Sequence, residues 1–279
     1  MISLDTMYKK PEIRELKSFI TFIREEKGLD LTFYRSTFLL RRLKARMWSC
    51  NIGSITNYLE KIKGDFKEWD KLLEVLSINV SEFFRDKEVF DYFSHVCLKE
   101  LVSRKRTQRV KMIRFWSAGC SLGEEPYSLA ILLCESVKDK QDYFFKIYAT
   151  DIDVKSLEKA KKGIFQESSL KNVSSDFRER YFIKVREDTW MIKDEVKRMV
   201  NFRQHNLFDK PLFKYFDVVF CRNVRIYFDN RQSEKVLWNI YNTLSKGGYL
   251  VLGKVEILPS SLKDYFVNIE SSCKIFQKK

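Results

Sequence analysis

Residues 112 to 151 constrain the fold more than any other stretch of this chain. Met112 to Ala118 (MIRFWSA) is a short apolar, aromatic run ending in small residues. A glycine-bearing turn follows, then a helical pattern from Glu124 to about Val137, then a second β-like run from Phe144 to Thr150 that ends at Asp151. Strand, turn, helix, strand is a βαβ unit. Its two strands must lie parallel, because a crossover of this length returns the chain to the same end of the sheet. The spacing therefore predicts an α/β domain.

The later sequence extends the same grammar. Phe216 to Cys221 (FDVVFC) reads as a strand, followed by a helix from about Asn230 to Ser245 with Asp229 and Gln232 as its capping pair and Gly247-Gly248 as its stop. Tyr249 to Gly253 is the next strand. Asp264–Ile269 and Lys274–Gln277 fit a terminal antiparallel pair. Between Gly163 and Asn206, alternation around Tyr181–Val185 and Trp190–Ile192 suggests a small inserted hairpin. The first 76 or so residues read differently: Ile13, Leu16, Ile20 and Ile23, then Trp69, Leu72, Leu73 and Leu76, fall at helical steps. No internal repeat is visible.

Charge and cysteine content narrow the chemistry. Fifty-two Lys and Arg against thirty-eight Asp and Glu leave a net charge of +14, which suits an anionic partner without saying which. From Leu31 to Leu59 there is no acidic residue, and on a helix Arg35, Arg42 and Arg46 share one face as a candidate docking surface. The basic run Lys99 to Arg114 has no clear apolar period and reads as a solvated connector. Six dispersed cysteines with no C-x-x-C, and two isolated histidines, argue against a disulfide framework or a zinc site; no metal is expected. No apolar run approaches a membrane span and no signal-peptide core opens the chain, so a soluble cytoplasmic protein is expected.

The turn Ser117-Ala118-Gly119-Cys120-Ser121-Leu122-Gly123-Glu124-Glu125 is not G-x-G-x-x-G. A pyrophosphate site keeps carboxylates away from the helix N-terminus, whereas two Glu residues open the helix here, where its dipole favours them. Such a site prefers a cation or a neutral polar group. S-adenosylmethionine fits, having a sulfonium and an ammonium but no phosphate. Asp151, 28 residues after Gly123, ends the next strand and can accept both hydroxyls of a ribose.

Four segments together resemble one family. Asn79-Val80-Ser81-Glu82-Phe83-Phe84-Arg85, Trp116 to Ser128 (WSAGCSLGEEPYS), Ala149-Thr150-Asp151-Ile152-Asp153 and Phe220 to Asp229 (FCRNVRIYFD) are similar, in order, to the motifs of the CheR-type chemoreceptor glutamate methyltransferases. The resemblance runs from about residue 12 to residue 277. It implies an all-α N-terminal domain (1–76) and a Rossmann-like methyltransferase domain (77–279), with a β-subdomain inserted at about 164–204. It also implies that Asn79, Ser81, Arg85, Glu124, Asp151, Asn206, Leu207, Arg222 and Asn223 surround S-adenosylmethionine, with Arg85 and Tyr227 nearest the transferred methyl. The implied substrates are glutamates on the cytoplasmic helical bundles of methyl-accepting chemotaxis proteins, at which the enzyme is recruited to receptor arrays. Ser81 stands where Thr is also common.

Two departures bear on partners. Residues 164–206 lack the glycine-bearing loop through which some members hold a receptor's C-terminal pentapeptide, which argues against that tether. Gly253-Lys254-Val255-Glu256 replaces the common G-H-S-E. Phe83, Phe84 and Trp116 read as core, and Cys221 as a small buried hydrophobe rather than a nucleophile. The competing readings are an RNA methyltransferase, motivated by the charge, and an inactive cofactor-binding scaffold. The Cys-Arg-Asn after the 216–221 strand is unlike the N/D-P-P-Y of amino-group methylation and disfavours the first.

Overall fold

The computed structural model describes residues 10–27, 30–76, 81–137 and 143–279, which fall into two compact units. The first comprises the N-terminal segment to residue 79 together with 226–233. Its helices are α1 (Lys10–Lys27), α2 (Ser36–Ser49), α3 (Ile55–Gly64) and α4 (Phe66–Leu76). Of the apolar positions picked out by periodicity, Leu16, Ile23, Trp69 and Leu72 lie in its core, together with Phe19 of α1 and Leu39, Leu40 and Leu43 of α2, whereas Ile13 and Ile20 are half-buried. Ser54 caps α3 by accepting the Asn57 N–H.

A polar cluster sits within this apolar packing. Arg46 donates to both oxygens of Glu68, at 2.6 and 2.5 Å, and the Tyr58 hydroxyl donates to the same carboxylate at 2.8 Å. The Arg46 hydrogen bonds hold the Glu68 carboxyl down to about 2. Arg46, expected from sequence at a docking face, has its charge paired with an internal partner 22 positions away. Arg35 is committed as well. Its backbone N–H donates to Tyr227 O and its Nε to Phe228 O, while Tyr34 pairs with Phe228 in a β-bridge and Phe38 packs on Tyr227. These bonds fasten 226–233 to the helical unit, which the sequence reading had assigned wholly to the second domain. Arg42 is half-buried over the Phe38 ring.

The second unit (80–225 and 234–279) is built on a seven-stranded sheet in the order β6-β2-β1-β7-β8-β10-β9. The first five strands in that order, β6 (Val200–Gln204), β2 (Phe144–Asp151), β1 (Met112–Ala118), β7 (Phe216–Cys221) and β8 (Leu244–Leu252), run parallel. Strand β10 (Ile275–Lys278) is antiparallel to β8 and to β9 (Phe266–Glu270), the terminal pair read from sequence. Helices α5 (Lys87–Tyr92), α6 (Lys99–Thr107), α7 (Glu124–Ser136) and α8 (Val154–Lys162) follow in chain order; a π-helical turn, Phe93–Leu98, joins α5 to α6. Phe83, Phe84 and Trp116 are core, at 0%, 6% and 3% exposure. Chain order reverses between β1 and β7, so the C-terminal ends of β2, β1 and β7 border the crevice where open α/β sheets hold ligands.

Four details differ from the sequence reading. The inserted sheet has three antiparallel strands in the order β3-β5-β4, from Ile164–Gln166, Thr189–Ile192 and Phe182–Arg186. Val200–Gln204, placed within the insert from sequence, pairs instead with β2 in the main sheet. The basic run after Lys99 is not a free connector: Arg104 donates to Gly247 O and Lys105 pairs with buried Asp217 at 2.7 Å, so part of its charge is structural. The helix from Asn230 ends at Thr243, and Gly247-Gly248 lie within β8, where its register against β7 shifts. Among the described residues no helix is long and apolar enough to cross a membrane.

The Arg46–Glu68 pair gives a stability test. Glu68 is 3% exposed, and Glu68→Gln should cost about 3 kcal/mol at neutral pH because Arg46 loses its counter-charge. A carboxyl depressed on folding stabilises above its unfolded pKa and loses that contribution as pH falls toward the folded value. Denaturant titrations of both proteins should therefore show their difference shrinking from about pH 4.5 toward pH 2.

Candidate active site

Six chain segments converge at the C-terminal ends of β1, β2 and β7. The first is the turn after β1. Gly119 and Cys120 both donate their N–H to Thr150 O, at 2.8 and 2.9 Å, which folds the turn back over the end of β2. Gly123, at φ +99°, delivers the chain into α7; a Cβ there would lie 2.9 Å from the Ala160 Cβ, so no other residue fits without displacing α8. The Ser121 N–H donates to Asp151 Oδ2 at 2.8 Å, and the Asp153 N–H to Oδ1 at 3.0 Å. The two acids singled out from sequence are thus held at one turn. Between them the buried Cys120 thiol is pushed well up by desolvation and by the charges of Asp151, Glu125 and Glu124.

Glu124 is 1% exposed, and burial raises its carboxyl although the Ser81 and Ser169 hydroxyls hydrogen-bond to it. Its Oε2 has no hydrogen-bond partner among the described residues. Burial also raises Asp151. An orphaned, desolvated carboxylate oxygen at a turn opened by two acids is what a cationic or N–H-bearing ligand satisfies. The residues present fit S-adenosylmethionine: an acid for its ammonium and an acid for its ribose.

The neighbouring Glu125 is not spare. Ser117 donates to it at 2.7 Å and Arg222 Nη1 lies 3.6 Å from its Oε2. Burial raises the Glu125 carboxyl, while the charges of Arg222 and Arg85 pull it down, placing Arg85 in the same electrostatic field. Arg222, expected at the cofactor, donates from Nη2 to Asp86 at 2.6 Å and so ties the end of β7 to the residue after Arg85. On the other side of Arg85, Phe84 N–H donates to Ser128 Oγ and Asn172 donates to Phe83 O. Phe84, Asp86, Ser121 and Asn223 are four of the eight non-glycine residues with positive φ among those described. Such backbone persists only where the surroundings enforce it, and half of it lies in these segments.

Asn206 and Leu207 follow β6 at the same end of the sheet; His205 N–H donates to Asp151 O, and Asn206 Oδ1 accepts the Phe208 N–H. Tyr227 is half-buried on the core of the helical unit. Asn79 lies outside the described residues. Cys221 is fully buried and its thiol is raised by desolvation, which suits an inert core residue. Sequence reasoning missed Glu256. Its carboxylate, 4% exposed, accepts the backbone N–H groups of Gly253 (2.7 Å), Asn223 (3.0 Å) and Arg225 (3.0 Å), locking the segment after β7 to the loop after β8. A Cβ on Gly253 would lie 2.8 Å from Glu256 Oε2 and 2.9 Å from Asn223 N. The Glu three positions after Gly was visible in Gly253-Lys254-Val255-Glu256, but not what it would hold.

The chain matches two family models: CheR methyltransferase, all-alpha domain, over residues 14–77, and CheR methyltransferase, SAM binding domain, over 79–275. It is 32% identical over 250 residues to a chemotaxis protein methyltransferase of Borreliella burgdorferi, covering 88% of each chain. It is 31% identical over 271 residues to one of Vibrio parahaemolyticus, covering 95% of this chain and 96% of that protein. With a probable chemotaxis protein methyltransferase of Rhizobium etli it shares 33% identity over 253 residues, 88% of this chain and 94% of the relative.

The raised carboxyls set a pH test. Protonating Glu124 or Asp151 removes an acceptor, so S-adenosylhomocysteine affinity should fall as pH is lowered, beginning above the ordinary carboxylate range. Calorimetric titration should also show Glu124→Gln binding about tenfold to a hundredfold more weakly at neutral pH, with a flatter pH profile. Equal affinities at neutral pH would remove Glu124 from the site.

Proposed function

This chain belongs to the CheR methyltransferase family and is an S-adenosylmethionine-dependent methyltransferase, and from that premise we propose that it methylates glutamate side chains on the cytoplasmic helical bundles of chemotaxis receptors. The product is a glutamyl methyl ester. The observation that carries this reading is the buried, partly unsatisfied Glu124 at the turn whose Ser121 N–H holds Asp151, with Arg85 in the field of the neighbouring Glu125. When bound, S-adenosylmethionine supplies an electrophilic methyl on a sulfonium.

The chain's own residues have limited work to do. A glutamate is ionised at neutral pH, so its oxygen needs no general base. The requirement is to hold that carboxylate in line and to strip water from it. Arg85 suits the holding role: its guanidinium can take a carboxylate through two hydrogen bonds, and both flanking residues are fixed, Phe84 by Ser128 and Asp86 by Arg222. Ser81 and Glu124 form one wall of the cofactor pocket and Asp151 the ribose end. Asn206, Leu207 and Asn223 frame the remainder. Arg222 acts through Asp86.

The basic helix α2 is the receptor-docking element. With Arg46 bound to Glu68 and Arg35 to Phe228 O, its outward charges are Arg41 and Lys44, the latter beside Glu12, with half-buried Arg42 between them. Long-range attraction of an acidic bundle by these charges weakens with salt. The enzyme would act at receptor arrays in the cytoplasm, without the pentapeptide tether.

Labelled-methyl transfer to receptor cytoplasmic fragments tests the reaction: the label should be released by alkali as methanol, whereas alkali-stable label would mark another acceptor. Arg85→Ala should lower kcat about a hundredfold with an unchanged melting temperature. Arg41→Glu should raise KM for the receptor more than it lowers kcat, and the difference should narrow at high salt.

A further inference from the structure

Val255 and Ile257 are the two most exposed large apolar side chains described in the second unit, at 73% and 75%, and they flank Glu256 at 4%. Their loop is fixed. Glu256 accepts three backbone N–H groups, its own N–H donates to Gly253 O at 2.8 Å, and Leu258 is buried behind it. Arg225 Nη2 also donates to Ile257 O. Two branched aliphatic chains are therefore held out into water by a rigid support rather than by a loose loop. Scattered exposed aliphatics are ordinary; a pair presented this way beside a reaction centre is not. The pair adjoins that centre because Leu252 of β8 is in register with Cys221 of β7, which sets Gly253 against Asn223.

We propose that Val255 and Ile257 form an apolar lip that contacts aliphatic side chains next to the target glutamate and so selects which glutamates are methylated. The proposal rests on the reading of the substrate as a helical, acidic receptor bundle. On such a helix the neighbours of the target glutamate are the residues three and four positions away. A lip with two branched aliphatic groups favours an aliphatic neighbour there and disfavours a charged one, which would lose water without gaining a partner. The contact is continuous with the site, since Glu256, which lies between the two lip residues, binds the Gly253, Asn223 and Arg225 N–H groups through one carboxylate. The side chains at 255 and 257 themselves project into water.

The test is methyl transfer to a receptor cytoplasmic fragment by the wild-type chain and by Val255→Ser/Ile257→Ser, with S-adenosylhomocysteine binding measured in parallel. The double variant should raise the fragment's KM about tenfold, leave kcat within about twofold and leave S-adenosylhomocysteine affinity unchanged. Replacing the aliphatic neighbour of the target glutamate by Asp should raise KM for the wild type and leave the double variant's KM unaltered. An unchanged KM in the double variant, or a loss of S-adenosylhomocysteine affinity equal to the loss of activity, would overturn the proposal. If the wild-type chain itself transfers no alkali-labile methyl to any fragment, it is the receptor reading that fails.

Discussion

Three carboxylates crowded at one end of a sheet are the constraint from which the rest of the second unit follows. Glu124, Glu125 and Asp151 all bear on the single thiol of Cys120, and burial raises every one of them. A desolvated carboxylate costs several kcal/mol unless paired. Glu125 is relieved by Ser117 and Arg222, and Asp151 by two backbone N–H groups. Glu124 has two serine hydroxyls, yet one oxygen remains unsatisfied. A chain that keeps such an arrangement gains from a ligand carrying positive charge and hydroxyls, and it repels one carrying phosphate. The cofactor preference is thus electrostatic before it is a matter of shape.

Around that centre, two charged groups serve as fasteners. Arg222 joins the end of β7 to Asp86, and Glu256 joins the same segment to the loop after β8. Arg222 binds the side chain of Asp86 and Glu256 the backbone of Asn223, which holds these two positive-φ residues where no helix or strand runs.

Much of this was legible in the sequence because it is local. The apolar runs of β1, β2 and β7, the helix from Glu124, and the turn joining them each lie within a few residues, and Glu124 and Asp151 were marked by position alone. What stayed hidden involves partners far apart in the chain. Nothing near Arg46 announces Glu68, and nothing near Arg35 announces Phe228, so a helix whose arginines share one face was read as a single docking surface when two of them are structural. Lys105 likewise looked solvated because Asp217 lies more than a hundred residues away. Val200–Gln204 was assigned to the insert since a short strand at a sheet edge has the same alternation wherever it pairs. Glu256 escaped notice because its function is to accept backbone N–H groups, which leave no trace in side-chain patterning.

Competition binding addresses the electrostatic claim at its root. With labelled S-adenosylhomocysteine in equilibrium dialysis, the chain should bind one equivalent, and a hundredfold excess of NAD⁺ should leave that binding intact, since its pyrophosphate would face Glu124 and Glu125. Displacement by NAD⁺, or no binding of S-adenosylhomocysteine at all, would contradict the assignment of this turn as a phosphate-free cation site.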